Sequence, residues 1–327
     1  MATIGTNVTL LDLKSGMDPD GKPAKIIEVL EQNNPILSDM VWEEGNLPTG
    51  HQHSVRTGYP TPAWRLLNYG VPQTKGTQVA VTDTCGMLED YSQIDKRLLA
   101  LNGHSAAWRA QQDKPHLVGM SETFASTLFY GNTAVDPEKF LGLAPRFNST
   151  SAANGQNIIT GGGSSNLTSI WLIGWGSDTV RGIYPKGTSA GLQMEDLGED
   201  TNVDSNGLMH QVVRSHFVWD CGLAVSDWRY VVRIPNIDVT ALVKGAGSGA
   251  DLLQLMAQAQ EVLQSTTGVR TAFYCNRRIT GWLRRQMMAA SNANLSWTEI
   301  QGKKVMTFSE TPIRRTDAIL NTETAVS

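Results

Sequence analysis

Apolar residues repeat at intervals of three and four along several segments of the chain, which is the spacing of one face of a helix. The clearest case is residues 104–130, where Met120, Phe124 and Leu128 lie on one face. Proline suits a first helical turn, so we expect Pro115 to begin the longer, uninterrupted part of this helix. The same pattern predicts further helices over residues 26–33, 89–101, 251–264 and 276–290.

Strands are predicted where apolar and β-branched residues run together or alternate with polar ones between turn residues. Residues 77–84 are the clearest example, and residues 158–159 form a short strand inside a low-complexity loop at 148–166. Because strands and helices do not alternate in regular β-α-β order, the predicted fold class is α+β. Other extended segments are predicted over residues 168–173, 179–184, 208–220, 223–234, 304–308 and 312–319.

Residues 40–71 combine strand-like alternation with repeated turn residues, which predicts a long β-hairpin or extended loop. The segment carries Trp42, Tyr59, Trp64 and Tyr69 but offers few residues for a core of its own. Aromatic rings bury a large apolar area when they leave water, and large exposed apolar patches mark interaction sites. We therefore expect this ribbon to bury its rings against a neighbouring subunit.

Composition places the chain among globular proteins and excludes some functions. Its 327 residues are about twice the length of an ordinary domain, so two packed modules are expected, and 40% hydrophobic residues are enough to form their cores. The net charge of −4 argues against a protein whose main task is to bind nucleic acid. No apolar run in the sequence reaches the roughly 20 residues of a membrane-spanning helix, so no membrane association is expected.

The sequence offers few candidates for chemistry. Cys85, Cys221 and Cys275 have neither disulfide-framework nor zinc-finger spacing, so buried, reduced thiols are expected. The sequence lacks the known nucleophile, metalloprotease and dinucleotide-binding motifs, and the glycines at 161–163 lack the lysine of a phosphate loop. We therefore predict no enzyme activity, no catalytic residues and no cofactor.

Two segments have partial metal-site patterns. His51 and His53 lie on the same face of a predicted strand, but no nearby cysteine or acidic cluster completes a ligand set. Residues 200–207 alternate oxygen ligands as a calcium loop does, although Gly207 and Gln211 depart from the EF-hand pattern. We expect exposed polar histidines and a solvated acidic loop, with adventitious cation binding as the alternative for the loop, and no resident metal.

A basic stripe is predicted on the helix at 276–290. Arginines seven positions apart are nearly two helical turns apart, so they share a face, opposite Trp282 and Ile279. Three interpretations remain open for the stripe: solvation or local pairing, contact with carboxylates of a neighbouring subunit, and contact with nucleic-acid phosphate. Its members are Arg277, Arg278, Arg284 and Arg285.

Several segments, most of them in the first half of the chain, together carry a family resemblance. They read MVWEEGNLPTG from residue 40, YPTPAWR from residue 59, TDTCGMLEDY from residue 82, STLFYGN from residue 126 and DPEKFLGLAPRF from residue 136. In these segments the chain resembles the major capsid protein of tailed phages, in particular a podovirus-type group with the Hong Kong 97-like fold. The match is close over residues 1–150 and continues through the chain length and the closing PIRRTD at 312–317. None of these is a catalytic motif, and the specificity comes from their number and order.

The resemblance implies an organisation for the chain. The spine helix would lie at about 104–131, and the axial-domain helices at about 251–264 and 276–290. The implied domains are, in chain order, an N-terminal arm at 1–36, an extended E-loop at 37–76, a peripheral domain at 77–165, and the remaining peripheral strands with an axial domain at 166–327. The E-loop residues expected to contact a neighbouring subunit are Trp42, Tyr59, Trp64, Arg65 and Tyr69.

The resemblance also implies a function. We expect a virion protein that assembles in the host bacterial cytoplasm, as hexamers and pentamers, into the icosahedral head that encloses phage double-stranded DNA. Expected partners are further copies of the chain, a portal protein, a separate scaffolding protein and weakly, non-specifically bound DNA, with a decoration or cement protein left open. The alternatives are an encapsulin-like compartment shell that holds enzyme cargo and an enzyme with a dispersed site.

Two further expectations concern covalent processing. Because the E-loop begins by about residue 40, there is no room for a cleavable N-terminal scaffold segment, and little or no N-terminal processing is expected. Some relatives crosslink their subunits through lysine–asparagine isopeptide bonds, but the sequence has no lysine between Lys25 and Lys75. We therefore expect a non-covalent shell.

Overall fold

A computed structural model of the chain describes residues 34–101, 106–204, 206–242, 249–266, 268–288, 295–300 and 303–327. The predicted helix at 26–33 and nearly all of the expected N-terminal arm lie outside these residues. The described helices are Ile36–Asp39 (α1), Lys96–Leu101 (α2), Ala106–Tyr130 (α3), Leu143–Arg146 (α4), Leu252–Val262 (α5) and Arg277–Met288 (α6). The described strands are Trp42–Glu44 (β1), Gly50–Gly58 (β2), Thr77–Asp95 (β3), Leu167–Trp175 (β4), Val180–Tyr184 (β5), Gln193–Val203 (β6), Met209–Val225 (β7), Val231–Asp238 (β8), Arg270–Cys275 (β9), Leu295–Ile300 (β10), Lys303–Phe308 (β11) and Thr311–Arg315 (β12).

The strands join into a mixed sheet in which β4 lies near the centre. Across the sheet the order is β10, β11, β12, β9, β4, β5, β7, β3 and β2, while β1 pairs with β5, β6 with β7, and β8 with β4. Strand β5 is parallel to β1 and β4, and β12 is parallel to β9, whereas the long β3 and β7 are antiparallel. A mixed sheet packed with helices confirms the predicted α+β class.

Strand β4 is buried along its whole length because both of its faces are covered. Successive side chains of a strand point to opposite faces, and here Trp171 and Ile173 enter one hydrophobic cluster while Ile170 and Leu172 enter another. Helix α3 contributes to the first cluster, and helices α5 and α6 contribute to the second. The long apolar run of this strand therefore serves two cores at once.

Helix α3 buries the face that the sequence pattern predicts. Met120, Phe124 and Leu128 are all buried. Pro115 lies inside the helix, so the expectation that it begins the longer part is wrong. A proline in a helix interior removes one hydrogen bond. Buried side chains on both sides of it, including Trp108 before and Met120 after, hold the two halves of the helix against the protein and offset that loss.

The helix predicted over residues 89–101 is wrong in its first half. Residues 89–95 continue strand β3, and only Lys96–Leu101 is helical. The cause is non-local, because every residue from Cys85 to Asp95 pairs with a residue of β7. Pairing with a strand more than a hundred positions away overrides the local preference.

Strand β7 runs without a break through Gly222, although the sequence predicts separate strands at 208–220 and 223–234. Gly222 lies opposite Cys85 in β3, and a Cβ on the glycine would meet the Cα of Cys85 at 3.1 Å. This glycine therefore permits a close approach of two strands and does not mark a turn. The strands that the sequence did not predict are β6, β9 and β10.

Candidate intersubunit surfaces

The predicted hairpin is present, but its second arm differs from the prediction. Strand β2 pairs with the beginning of β3, from Gly50 opposite Thr84 to Gly58 opposite Thr77. The closing arm is therefore the strand that the sequence predicts as a separate element. Residues 59–76 form the loop that connects the two arms.

The connecting loop holds most of the aromatic residues that we expect to contact a neighbour. Tyr59 is 81% exposed, Trp64 is fully exposed and Tyr69 is 69% exposed. Arg65 is exposed beside Trp64, and the guanidinium of Arg56 lies 5.9 Å from the ring centroid of Tyr59. The other large exposed apolar residues of the loop are Leu66, Leu67 and Val71. The loop thus presents several large apolar side chains to solvent.

Trp42 has a different environment from the other aromatic residues expected in the E-loop. It lies on β1 at the base of the hairpin, and its ring centroid is 5.7 Å from that of Phe124 and 6.1 Å from that of Trp219. Gly182 on β5 makes room for it, because a Cβ there would lie 2.8 Å from the indole. The ring of Trp42 is already half-buried in its own chain, so its expected role between subunits remains a prediction without support from exposure.

A buried carboxylate ties the base of the hairpin to the rest of the protein. Asp83 on β3 is buried, and it accepts a hydrogen bond from Arg146 Nη2 at 2.7 Å and one from the Val225 N–H at 3.1 Å. His53 Nδ1 on β2 lies 3.9 Å from the same carboxylate. A charged group is tolerated in the interior when it is paired in this way. The network joins β2 and β3 to α4 and β7.

The two histidines of β2 face the protein, as strand alternation predicts, but they are partly buried, so the expectation of exposed polar residues is wrong. Arg181 donates from Nη2 to His51 Nε2 at 2.8 Å, and its Nε lies 2.8 Å from Glu43 Oε2. Burial, and then the charge of Arg181, lower the pKa of His51. Burial is also the largest cause that lowers the pKa of His53. Within the described residues, no cluster of three or more histidine, cysteine or acidic side chains could hold a metal ion.

The basic stripe divides into two pairs, Arg277 with Arg284 and Arg278 with Arg285, and only the first pair lines the groove beside α6. Arg277 and Arg284 line one groove of about 530 Å³, as their helical spacing predicts. Arg314 and Arg315 of β12 line the same groove, although nothing in their local sequence links them to α6. Arg277 Nη2 lies 2.9 Å from Asp317 Oδ2, so part of the positive charge is matched within the chain.

The aromatic neighbours of the stripe differ from the prediction. The guanidinium of Arg285 lies 5.0 Å from the ring centroid of Trp282, so the tryptophan is not on the opposite face. Arg284 lies 5.7 Å from the ring centroid of Trp297 on β10. Arg278 is exposed, like the other three arginines. Trp282 and Arg285 are three positions apart in α6, so their side chains are neighbours on the helix surface and the guanidinium can stack on the indole ring.

The expected acidic loop is strand β6 together with its turn into β7. Asp196 pairs with Arg109 at 2.7 Å and Glu199 with Lys96 at 2.6 Å. Asp204 accepts hydrogen bonds from backbone N–H groups in the turn, mainly that of Leu208, and these lower its pKa. Within residues 200–207, Asp200 lies 2.7 Å from Arg214 Nη1 and Asp204 is bonded to backbone N–H groups, so both carboxylates already have partners in the chain. Residue 205 lies outside the described residues.

A protein-family model described as major capsid protein GP7 matches residues 18–327. The chain belongs to this family of major capsid proteins. The capsid protein is 39% identical to a chain in the solved structure of bacteriophage Epsilon15; the match covers 100% of this chain and 99% of that one, with a TM-score of 0.79. The comparison with curated proteins finds no relative.

Two more distant solved structures also match the chain. The bacteriophage JBD30 capsid has a TM-score of 0.50 at 8% identity, and the match covers 89% of the capsid protein and 93% of that chain. An encapsulin complex from Synechococcus elongatus has a TM-score of 0.41 at 13% identity, covering 67% of the capsid protein and 93% of that chain. The latter likeness is too weak to support the compartment alternative.

These findings confirm the resemblance seen in the sequence. The protein is the major capsid protein of a tailed phage; it has the Hong Kong 97-like fold, and it belongs to the virion as one of many copies in the capsid. Its family is one of structural capsid proteins. Among the described residues, no helix combines the length and apolar character needed to cross a bilayer.

Proposed function

We propose that this capsid protein builds the icosahedral head from hexamers and pentamers, with residues 59–76 of each copy lying on a neighbour as the E-loop. The observation that carries the proposal is the exposure of Trp64 and the apolar residues around it. Exposed apolar residues that cluster on a surface mark interaction sites in soluble proteins. In a shell of identical copies, every such loop has a partner.

Each contact between two copies contributes only a modest free energy, and the stability of the shell comes from the large number of such contacts. Burial of one large apolar side chain contributes about 1.5–3 kcal/mol, at roughly 25 cal/mol per Å² of apolar area. Each copy both extends a loop and receives one, so contacts are linked around the capsomer and act together. The proposed shell is non-covalent.

We also propose domain roles within the fold. Helix α3 contacts β3 and β7 and would be the spine helix of the peripheral domain. Helices α5 and α6 cover the second hydrophobic cluster and would belong to the axial domain. Residues 1–36 would form the N-terminal arm.

The proposed partners beyond the shell are a portal protein, a separate scaffolding protein and packaged double-stranded DNA, with assembly in the host bacterial cytoplasm and a decoration protein left open. The net charge of −4 supports a wall that confines DNA without binding it tightly. Contact with the genome would therefore be weak and independent of base sequence.

For the basic groove beside α6, we propose contact with carboxylates of a neighbouring copy. Residues 277–317 contain eight lysines or arginines and three acidic residues in a chain whose net charge is −4, so the remainder of the chain is strongly acidic. Arg284→Glu should then weaken assembly most at low salt, where surface charges interact over the longest range. Loss of DNA retention from shells that still assemble would instead indicate phosphate contact.

The central experiment removes the most exposed ring of the loop. Trp64→Ala should leave the fold of the unassembled subunit unchanged, because the side chain is fully exposed, and should reduce particle yield and thermal stability. Negative-stain micrographs and sedimentation of the assembled fraction measure the effect. Trp64→Phe should retain part of the yield, since it keeps an aromatic ring.

Leu320→Ala is the matched control, because Leu320 is also an exposed apolar residue but lies near the C-terminus. Equal particle yields for Trp64→Ala and wild type would contradict the proposed role of the loop. Particles that contain protein cargo and neither DNA nor a portal would favour the compartment alternative.

A further inference from the structure

An apolar groove of about 130 Å³ lies between β3, α3 and residues 138–140. Its floor includes Phe124 and Phe140, which are buried, and its rim includes Met87, which is 76% exposed. Gly86 keeps the groove narrow at one side, since a Cβ there would lie 3.0 Å from the Glu138 carbonyl oxygen. The groove is therefore a shallow apolar slot that opens to the surface.

The groove has room for one edge of an aromatic ring or for one branched aliphatic group, and the rest of a larger ring can lie at its open side. A cavity of about 150 Å³ lined by apolar side chains binds benzene, which sets the scale. A second copy of this chain offers such a group on its loop at residues 59–76. Trp64 is its most exposed ring and stands free of its own chain.

The charges beside the groove and beside Trp64 have opposite signs. Glu138 is exposed at the edge of the groove. The adjacent Lys139 is paired with Asp136, with Nζ 2.8 Å from Oδ2, so it does not neutralise Glu138 directly. Arg65, the neighbour of Trp64, is exposed and positive. Trp64 beside the positive Arg65 therefore complements the apolar groove beside the negative Glu138, both in apolar character and in charge.

We propose that Trp64 of a second copy inserts one edge of its indole into this groove and that Arg65 of that copy faces Glu138. The inference rests on the proposed function, and it names the surface that receives the loop. One copy thus presents its loop to the groove of the next, so the contact is head-to-tail, the type of contact that forms a ring when the rotation between copies closes.

A disulfide trap tests the contact while leaving Trp64 in place. The double variant Arg65→Cys/Glu138→Cys is assembled and oxidised, and its proteins are separated on a non-reducing denaturing gel. We expect dimers and higher ladders that disappear on reduction. Each single variant, and the pair Arg65→Cys/Gln254→Cys with its second thiol on α5, should remain monomeric.

Occlusion of the groove is the second test. Thr123→Trp places an indole at the groove from an exposed position of α3, and it should reduce particle yield at least about tenfold, as loss of a central aromatic contact does. Ser126→Trp adds the same ring at an exposed position of the same helix outside the groove, so its yield should match wild type.

The outcomes separate this inference from the proposed function. Normal particles without crosslinks from Arg65→Cys/Glu138→Cys, or a disulfide confined within one copy, would overturn the inference and leave the shell function intact. Normal yields from Thr123→Trp would overturn it as well. If wild-type protein coexpressed with its scaffolding protein fails to form particles, the proposed function itself is wrong.

Discussion

Arg181 donates a hydrogen bond from Nη2 to Nε2 of His51 across 2.8 Å, at the point where the β2–β3 hairpin meets β5. A histidine nitrogen accepts a hydrogen bond only when it carries no proton, so the contact requires neutral His51. Arg181 is buried and is paired with Glu43, which fixes the guanidinium beside the ring. Protonation of His51 would place two cations against each other at the base of the hairpin.

We expect the unassembled subunit to lose stability as the pH falls below about 6.5. The folded state lowers the pKa of His51 and His53 from 6.5, mainly by burial, so the unfolded chain binds more protons in acid. This stabilisation is complete above pH 6.5 and declines as the pH falls toward the lowered pKa values. The other charged groups that face the pair are Glu43, Asp83, Arg146 and Arg181. Thermal unfolding between about pH 5 and pH 8 measures the effect.

His51→Gln isolates the histidine contribution. Its amide oxygen accepts a hydrogen bond from Arg181 at any pH, so the variant should show a flatter pH profile of thermal stability than wild type. His210→Gln removes a histidine from β7 far along the β6–β7 hairpin and serves as the control. Identical profiles for His51→Gln and wild type would show that the Arg181 contact does not sense pH.

Elements with a strong local pattern are predictable from the sequence, and those defined by distant pairing are not. Helix α3 follows from the spacing of Met120, Phe124 and Leu128, which bury one face without reference to any particular partner. Strand β6 was missed because its acidic residues are typical of a loop. Their partners lie far away in sequence, as with Asp196 and Arg109, 87 positions apart.

The same distinction holds for the candidate site. The exposed rings of the loop at 59–76 follow from its turn residues and its lack of core positions. The network at the hairpin base does not, because each member is an isolated charge in the local sequence. Asp83 and Arg146 are 63 positions apart, and Arg181 and His51 are 130 apart. Only the fold brings these groups together.

Glu323 should be one of the most sensitive positions for subunit stability. Its carboxylate lies 2.8 Å from Arg233 Nη2, accepts a hydrogen bond from Tyr130 at 2.6 Å, and also accepts one from Ser169. Both members of the ion pair are buried. Removal of one partner leaves a buried charge uncompensated, so Glu323→Ala should lower the free energy of unfolding by about 3–5 kcal/mol. Urea unfolding of the unassembled subunit measures this.

Two further variants serve as comparisons for Glu323→Ala. Tyr130→Phe removes one hydrogen bond to the carboxylate and should cost about 1–2 kcal/mol. Glu310→Ala, at an exposed position after β11, should change the free energy of unfolding by less than about 0.5 kcal/mol. A loss for Glu323→Ala no larger than for Glu310→Ala would mean that the buried pair contributes nothing to holding the C-terminal segment.

Two glycines should respond to alanine in opposite directions. A Cβ on Gly50 would lie 2.0 Å from the Asp83 carbonyl oxygen, at the start of the hairpin pairing. Gly50→Ala must therefore displace β2 from β3, and overpacking of this kind costs about 1–3 kcal/mol. Gly119 lies in α3 with nothing near its missing Cβ, so Gly119→Ala should stabilise the subunit by about 0.5–1 kcal/mol.

Urea unfolding of the two glycine variants on the same day gives the difference directly. Both substitutions add the same methyl group. A difference in sign between the two changes in the free energy of unfolding therefore comes from the space and the backbone conformation at each position. Stabilisation by Gly50→Ala would show that the hairpin does not need this close approach.

The three thiols should react slowly in the folded subunit. Burial raises the pKa of Cys85 to about 12 and that of Cys275 to about 11, and it raises the pKa of Cys221 as well. The thiolate is the reactive form, so at pH 8 each folded thiol should react at least about a hundredfold more slowly than a free cysteine. A chromogenic disulfide reagent added to the unassembled subunit measures the rates.

Addition of urea provides the control for the thiol measurement, because it should release three equivalents at the rate of ordinary cysteines. Cys85 is only half-buried, whereas Cys221 and Cys275 are buried, so Cys85 should be the first to react as the denaturant is raised. Cys85→Ser should remove that early phase and leave the later two equivalents unchanged. One rapid equivalent in native buffer that persists in Cys85→Ser would place a reactive thiolate at Cys221 or Cys275, which their burial does not allow.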